Sequence, residues 1–131
     1  MEMAVPRLNI ETRHAPAENA VLTKAVIRAA EHLGLNSKSL AAVIGVSEAT
    51  ISRMRRNDFF LEQGSKPFEL GVLFVRLFRS LDAIAGGDQT VSTAWIRNPN
   101  QALEAKPLDK ILTIAGLLDV IAYLDSRRAL V

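Results

Sequence analysis

The stretch "SLAAVIGVSEATISRMRR" (Ser39–Arg56) constrains the fold of this chain more than any other part of its sequence. Two short helices that cross steeply need a small residue at the crossing, a turn residue that tolerates positive φ, and apolar residues that fix the angle. Ala41 meets the first need and Gly45 the second. The apolar positions are Leu40, Ile44, Val46, Ile51 and Met54. The pattern predicts a helix-turn-helix, the motif of many DNA readers; an ordinary helical hairpin is the alternative.

The second helix of this motif, Ser47–Arg56, would enter the major groove of DNA. Its N-terminal and outward positions are the candidate DNA-binding residues: Ser47, Glu48, Thr50, Ser52, Arg53 and Arg56. Ser47 is expected to cap the helix, and Arg53 and Arg56 could reach guanine or phosphate. Thr50 and Ser52 could contact phosphate or base edges. Glu48 could accept a hydrogen bond from cytosine, or simply favour the positive end of the helix.

Basic residues are concentrated around this motif. Six basic and two acidic residues lie between Lys24 and Arg56, whereas the net charge of the whole chain is only +2. A local positive excess favours a phosphate backbone, although it is also compatible with an ordinary solvated helix face.

The predicted fold class is all-α, because apolar residues recur at helical spacing and no stretch shows convincing strand alternation. We expect a loose tail over residues 1–17, a helix-turn-helix domain with its linker over 18–67, and a helical dimerisation and partner-binding domain over 68–131. Helices are expected over Phe68–Ala85 and Asp88–Ile96. Two more are expected to start at Pro99 and Pro107, the latter interrupted at Gly116, with Leu112 and Leu118 facing inward.

The apolar surface of the predicted helix Phe68–Ala85 is wider than one packing face needs, because Val72 and Val75 flank its main stripe. Such a helix is either buried on two sides or meets another chain. A homodimer is therefore expected, since two copies of a small DNA reader can bind two half-sites.

Other classes of function find little support in the sequence. The chain has no cysteine, so a disulfide framework and a thiolate metal site are excluded. His14 and His32 lack a neighbouring nucleophile or metal-ligand set, so neither catalysis, a metal nor a cofactor is expected, and His32 is expected at the surface. The longest apolar stretch is cut by Arg76 and Arg79, which predicts a soluble cytoplasmic protein that does not enter a membrane.

The second half carries the string "WIRNPNQALEAKPLDKILTIAG" (Trp95–Gly116). Its Trp, Asn-Pro, Pro-Leu-Asp and Thr-x-x-Gly elements resemble the toxin-binding domain of the Xre/MbcA/ParS antitoxins, over roughly Asp88–Tyr123. The helix-turn-helix lies where the Xre-like domain of that family lies, so the resemblance spans most of the chain.

This resemblance implies a partner toxin with a RES domain, which is similar to ADP-ribosyltransferases and either consumes NAD or uses it to modify a target. The antitoxin would cover the active site of the toxin and repress their shared operon, with the homodimer assembled into a larger complex. The candidate toxin-binding residues are Trp95, Asn98, Asp109, Lys110, Thr113, Arg127, Arg128 and Val131. We expect the segment Asp125–Val131 to lie at or beside the toxin active site.

Plain structural roles remain open for several of these residues. Trp95 could be a core anchor, Asn98 a helix-start residue, and Asp109 a favourable charge in the first turn of a helix. The alternative function is that of a solitary helix-turn-helix regulator whose C-terminal half only dimerises.

Overall fold

The structure, a computed structural model, describes the backbone of residues 4–129 and the side chains of residues 17–129. Over residues 4–129 it contains helices and no strand, which confirms the all-α class. The helices are α1 (Ala4–Leu33), α2 (Ser37–Ile44), α3 (Glu48–Arg55), α4 (Lys66–Ile84), α5 (Gln89–Arg97), α6 (Pro107–Lys110) and α7 (Ile114–Arg128).

The long helix α4 lies at the centre of the molecule. It begins after Ser65, whose hydroxyl accepts a hydrogen bond from the backbone N–H of Phe68. It packs against α1, α2, α5 and α7, and its side chains Phe74, Leu77 and Leu81 are fully buried. The wide apolar surface of this helix is therefore explained largely by contacts within the chain.

The end of α1 is held against α5 by two hydrogen bonds. The Arg97 guanidinium donates to the carbonyl of Gly34, and the Thr93 hydroxyl donates to the carbonyl of His32 at 3.3 Å. Together with the α1–α4 and α4–α7 contacts, these bonds join the helix-turn-helix half of the chain to its C-terminal half.

The loose tail predicted for residues 1–17 is wrong for residues 4–17, which belong to α1. Pro6 falls in the first turn of that helix, where the missing N–H has no helical partner anyway. The helix also continues through Pro16, although a proline there removes one backbone hydrogen bond. Proline lowers the preference for a helix without forbidding one.

The helix predicted to start at Pro99 is also wrong. Asn100 instead forms an isolated antiparallel bridge with Ala105, and its side chain accepts a hydrogen bond from the backbone N–H of Leu103 at 3.1 Å. This closed turn satisfies locally the backbone groups that a helix would have paired.

The prediction that Gly116 interrupts a helix is wrong. Gly116 lies in the first turn of α7. Thr113 caps α7 by accepting a hydrogen bond from the Gly116 N–H at 3.1 Å. A Cβ atom on Gly116 would lie 1.9 Å from the carbonyl oxygen of Lys110, so the glycine allows α6 to end directly against α7. Leu112 and Leu118, predicted to face inward, are 41% and 47% exposed, because α7 starts anew at Ile114 instead of continuing α6.

Candidate DNA-binding and partner-binding surfaces

The predicted helix-turn-helix is present in the structure. Asn36 caps α2 by accepting a hydrogen bond from the Ser39 N–H at 2.8 Å. Ala41 is buried, and Gly45 has φ +76 while its N–H donates to the Ala41 carbonyl. The buried apolar positions are Leu40, Ile44, Ile51 and Met54, with Val46 half-buried. The small residue, the turn and the apolar set thus have the geometric roles that the sequence predicted.

The outward face of α3 contains five of the six predicted DNA-binding residues. The exposed residues are Ser47, Glu48, Ser52, Arg53 and Arg56. Thr50 departs from the prediction, since it is only 9% exposed. It lies beside Ile51 and Met54 on the inner side of the helix, and its hydroxyl is hydrogen-bonded to Ser47 Oγ at 3.0 Å. Thr50 therefore supports the exposed residues of α3 from behind.

Arg53 is the best-oriented cation on this face. Its guanidinium donates to the Thr50 hydroxyl at 3.3 Å and lies 5.2 Å from the ring centroid of Phe59. A cation over an aromatic face is attracted by the ring quadrupole, so the ring steadies the side chain. Arg56 pairs with Asp58 at 3.3 Å, but both side chains are 62% exposed, so this ion pair is weak and opens readily.

Phe59 was not among the predicted site residues. It follows the turn that ends α3, and the only sequence signal for it is an aromatic residue directly after polar, helix-breaking positions. Its role depends on how the chain folds back beside α3. The backbone of that returning segment is held by α1, where the Thr23 hydroxyl accepts a hydrogen bond from the Leu61 N–H at 2.8 Å.

Basic residues of α1 extend the positive surface of α3. Lys24 and Arg28 line a cleft together with Arg55 and Asn57, at the C-terminal end of α3. Arg55 is oriented there by a hydrogen bond from its Nε to the Ser37 hydroxyl at 3.4 Å. The local excess of positive charge in the sequence thus lies along one side of the helix-turn-helix.

In the C-terminal half, the predicted toxin-binding residues do not form one cluster. Trp95 is half-buried and stacks on Tyr123 with ring centroids 6.2 Å apart, which favours its structural role. Asn98 is exposed at the end of α5. Asp109 and Thr113 are exposed at the α6–α7 junction, where Lys110 pairs with Asp119 at 3.2 Å.

The end of α7 is tied to α4 by a polar cluster. The buried Ser80 hydroxyl donates to Asp125 Oδ1 at 2.9 Å, and the Arg76 guanidinium donates to Asp125 Oδ2. Arg128 donates to the Ser80 hydroxyl at 3.3 Å. Arg127 is exposed, and Val131 lies outside the described residues.

Opposing effects set the acidity of Asp125. Burial raises its pKa, but the hydrogen bonds from Ser80 and Arg76 and the positive charges of Arg76 and Arg128 outweigh burial, so the pKa lies below its ordinary value of 3.8. The charged carboxylate is therefore the form that this cluster stabilises.

The expectation that His32 is a plain surface residue is wrong. Its Nε2 lies 3.5 Å from Asp82 Oδ1, and its ring meets Phe78 edge-on at a centroid distance of 5.0 Å. The pairing follows from the packing of α1 against α4, which the sequence periodicity of either helix alone does not specify. Among the described residues, no group of three or more histidine and acidic side chains could hold a metal ion. No helix of the described chain is long and apolar enough to cross a membrane.

These features define the class of the protein: an all-α chain with a helix-turn-helix packed on a second helical unit. Residues 12–76 match the family model of the antitoxin Xre-like helix-turn-helix domain, and residues 80–129 match that of the antitoxin Xre/MbcA/ParS C-terminal toxin-binding domain. The two matches cover most of the chain, which belongs to the Xre-type antitoxins and accordingly has DNA and a toxin as partners. Comparison with curated proteins gave no significant match.

Proposed function

We propose that the protein neutralises a RES-domain toxin by covering its active site, and that it represses its own operon as a homodimer in the cytoplasm. The toxin would be an NAD-consuming enzyme similar to ADP-ribosyltransferases, and the antitoxin itself acts by binding, without catalysis or a cofactor. The observation that carries the proposal is the presence of both antitoxin domains on one chain. The Trp95–Gly116 string, with its resemblance to antitoxins of RES toxins, supports the choice of toxin.

The experiment that tests this proposal is co-expression with the protein encoded by the adjacent reading frame. Expression of that protein alone should deplete cellular NAD or ADP-ribosylate a target and arrest growth, whereas co-expression with the antitoxin should reverse these effects and yield a co-purifying complex. Stable NAD levels together with no ADP-ribosylated target in the absence of the antitoxin would contradict the RES assignment. Absence of a complex would contradict neutralisation by direct binding.

For the DNA-binding activity, we propose that α3 enters the major groove with Arg53 and Arg56 directed to guanine or phosphate. Lys24 and Arg28 would contact the phosphate backbone beside it, because they share a cleft with the end of α3. The support is the exposure of these cations together with the fixed position of Arg53 over Phe59.

For the homodimer, we propose the groove between α1 and α4 as the interface. This groove has a volume of about 690 Å³, and its lining combines apolar residues such as Leu22, Ala25 and Val75 with the charged residues Glu18, Arg76, Arg79 and Arg128. Val21 and Val72 at its sides are 69% and 45% exposed, and such a patch is a typical protein-binding site. Other helices cover most of the wide apolar surface of α4 noted in the sequence. The part that they leave uncovered lies mainly in this groove.

For inhibition, we propose that the C-terminal segment reaches the active site of the toxin. Both Arg127 and Arg128 are exposed, but Arg128 donates a hydrogen bond to Ser80, so Arg127 is the better candidate for direct contact. Deleting Asp125–Val131 would also remove the α4–α7 cluster, so a sharper test combines Arg127→Ala with removal of Ala129–Val131 alone. Weaker protection of cellular NAD with unchanged operator binding is the expected result, and full protection would exclude the segment as the inhibitor.

A further inference from the structure

The outer face of α7 carries apolar side chains that the fold does not use. Ile114 and Leu118 lie one helical turn apart and are 57% and 47% exposed. Leu112, just before the helix, is 41% exposed. The fold is held instead by the neighbouring stripe of α7, whose apolar residues Leu117, Val120, Ile121 and Leu124 are buried. The exposed pair therefore widens the apolar surface of α7 beyond what packing within the chain uses, which indicates a binding surface.

This outer face is held rigidly. Thr113 caps the helix, and Gly116 fits directly against the carbonyl of Lys110. A surface that is already ordered loses little conformational entropy when a partner docks on it.

We infer that the α7 outer face, defined as Leu112, Ile114 and Leu118, is the main docking site for the toxin. The inference rests on the proposed neutralising function. The family match assigns toxin binding to residues 80–129, so the partner expected on this part of the chain is a toxin. Within that range the exposed large apolar side chains of the described residues are Ile84, Val91, Leu112, Ile114 and Leu118. Three of these five, Leu112, Ile114 and Leu118, lie within seven residues of the chain, from the α6–α7 junction into the first turns of α7, so exposed apolar side chains are most concentrated there.

The geometry also relates this face to the C-terminal segment. Ile114 and Arg127 are separated by thirteen residues along α7, which corresponds to about 20 Å of helix. That distance fits within one interface of ordinary size. Leu118 and Arg127 are nine residues apart, which is about two and a half turns, so a toxin docked on the apolar patch would reach Arg127 by wrapping around the end of α7.

The absence of cysteine from the sequence allows a direct test by thiol labelling. Leu118→Cys places a single thiol on the outer face of α7, and Ala49→Cys places one on the exposed face of α3. Each variant is treated with a maleimide alone, with the purified protein from the adjacent reading frame, or with operator DNA. The labelled fraction of the antitoxin is followed by intact mass.

We expect the toxin to slow labelling of Leu118→Cys about tenfold or more, because a thiol buried in an interface core is inaccessible to reagent. Operator DNA should protect Ala49→Cys and leave Leu118→Cys unchanged. If the wild-type antitoxin binds the toxin but Leu118→Cys labels at the same rate in the complex, the inference is overturned and the proposed function stands. If the wild-type antitoxin binds no toxin, the proposed function fails and the inference fails with it.

A second variant tests the energetic role of this face. Leu118→Glu should weaken toxin binding about tenfold or more, because a carboxylate would be buried in an apolar contact. Operator affinity and the unfolding temperature should stay at wild-type values, since residue 118 is exposed. Light scattering on the same variant tests whether a second antitoxin copy, and not the toxin, occupies this face. If Leu118→Glu dissociates a homodimer while toxin binding is unchanged, the face joins two antitoxin copies and the inference is wrong.

Discussion

Arg53 is exposed yet oriented, which makes it the residue most suited to specific DNA contact. Arg53→Ala should lower operator affinity by about 1–3 kcal/mol if the guanidinium pairs with guanine, and by less if it meets only phosphate. Phe59→Leu should produce a smaller loss, because Arg53 keeps its charge but loses the ring that positions it. Fluorescence anisotropy with operator DNA, repeated over a range of salt concentrations, measures both effects.

Lys106→Ala is the matched control, because it removes an exposed cation from the C-terminal half of the chain. It should leave operator affinity unchanged. The proposed docking of α3 would be wrong if Arg53→Ala and Arg56→Ala together altered neither the affinity nor its salt dependence.

Among the described glycines, Gly116 is the one at which an added methyl group should destabilise the folded protein most. Gly116→Ala should destabilise the protein by about 2–3 kcal/mol, since its Cβ would overlap a backbone carbonyl and force α6 away from α7. Gly71→Ala is the matched helical control. Its Cβ would meet side-chain carbons of Val26, Leu61 and Leu22, at 3.1, 3.3 and 3.5 Å, which can move. Urea unfolding compares the two variants, and equal destabilisation would contradict this explanation.

Residues whose role depends on their immediate neighbours were predictable from the sequence. Gly45 in the turn and Ser47 at the cap follow from the chemistry of two adjacent helices. The predicted outward position of Thr50 was wrong, because a polar residue next to the inner face of a short helix was expected to face solvent. The partners of His32 and Arg53 depend on how distant segments pack, and nothing in the spacing of the sequence specifies that packing.

Between elements, we expect the charge of Asp125 to help hold α7 against α4. A pKa lowered on folding means that the ionised group stabilises the folded state at pH values well above 3.8, and that this stabilisation disappears as the pH falls through the lowered value. Asp125→Asn should therefore reduce the free energy of unfolding at pH 7, with a difference from wild type that shrinks towards pH 3. Urea unfolding at a series of pH values measures this difference.

Asp119→Asn provides the control on the same helix, because its carboxylate is 63% exposed and meets Lys110 at the surface. Its effect should be small at every pH, as for most surface ion pairs. A pH-independent loss for Asp125→Asn would mean that shape and hydrogen bonding, and not charge, hold the two helices together.

The helices themselves were largely predictable where local caps define them. Ser47 and Asp88 accept hydrogen bonds from the first turns of α3 and α5, as short polar side chains commonly do, whereas the cap of α7 at Thr113 was not predicted. The sequence was misleading at its prolines. Pro16 suggested a break within α1, and Pro99 suggested a helix where the Asn100–Ala105 bridge forms a turn.

At the scale of the whole molecule, the proposed homodimer is open to a direct test. The wild-type protein should have twice the mass of one chain by light scattering. Val72→Lys should shift it towards the monomer, because a lysine would place a charge on the apolar side of the α1–α4 groove. Val91→Lys serves as the control, since it changes an equally exposed valine on α5.

A monomer at high concentration, both alone and with toxin, would contradict the homodimer. A dimer that persists in Val72→Lys would place its interface elsewhere. The sequence predicted a broad apolar helix but not which part of it stays open. That information depends on where α1, α2 and α7 pack against α4.

The position of α4 has a consequence for how such antitoxins diversify. The regions matched by the two family models end at residue 76 and begin at residue 80, so the boundary between them falls inside the helix Lys66–Ile84. A gene exchange that joined the DNA-reading half of one relative to the toxin-binding half of another at this boundary would splice two half-helices. Their buried side chains would have to fit both partners. Viable hybrids should therefore inherit α4 whole, together with the surfaces of α1 and α7 that pack on it. This requirement limits which operator specificity can be combined with which toxin specificity in one chain.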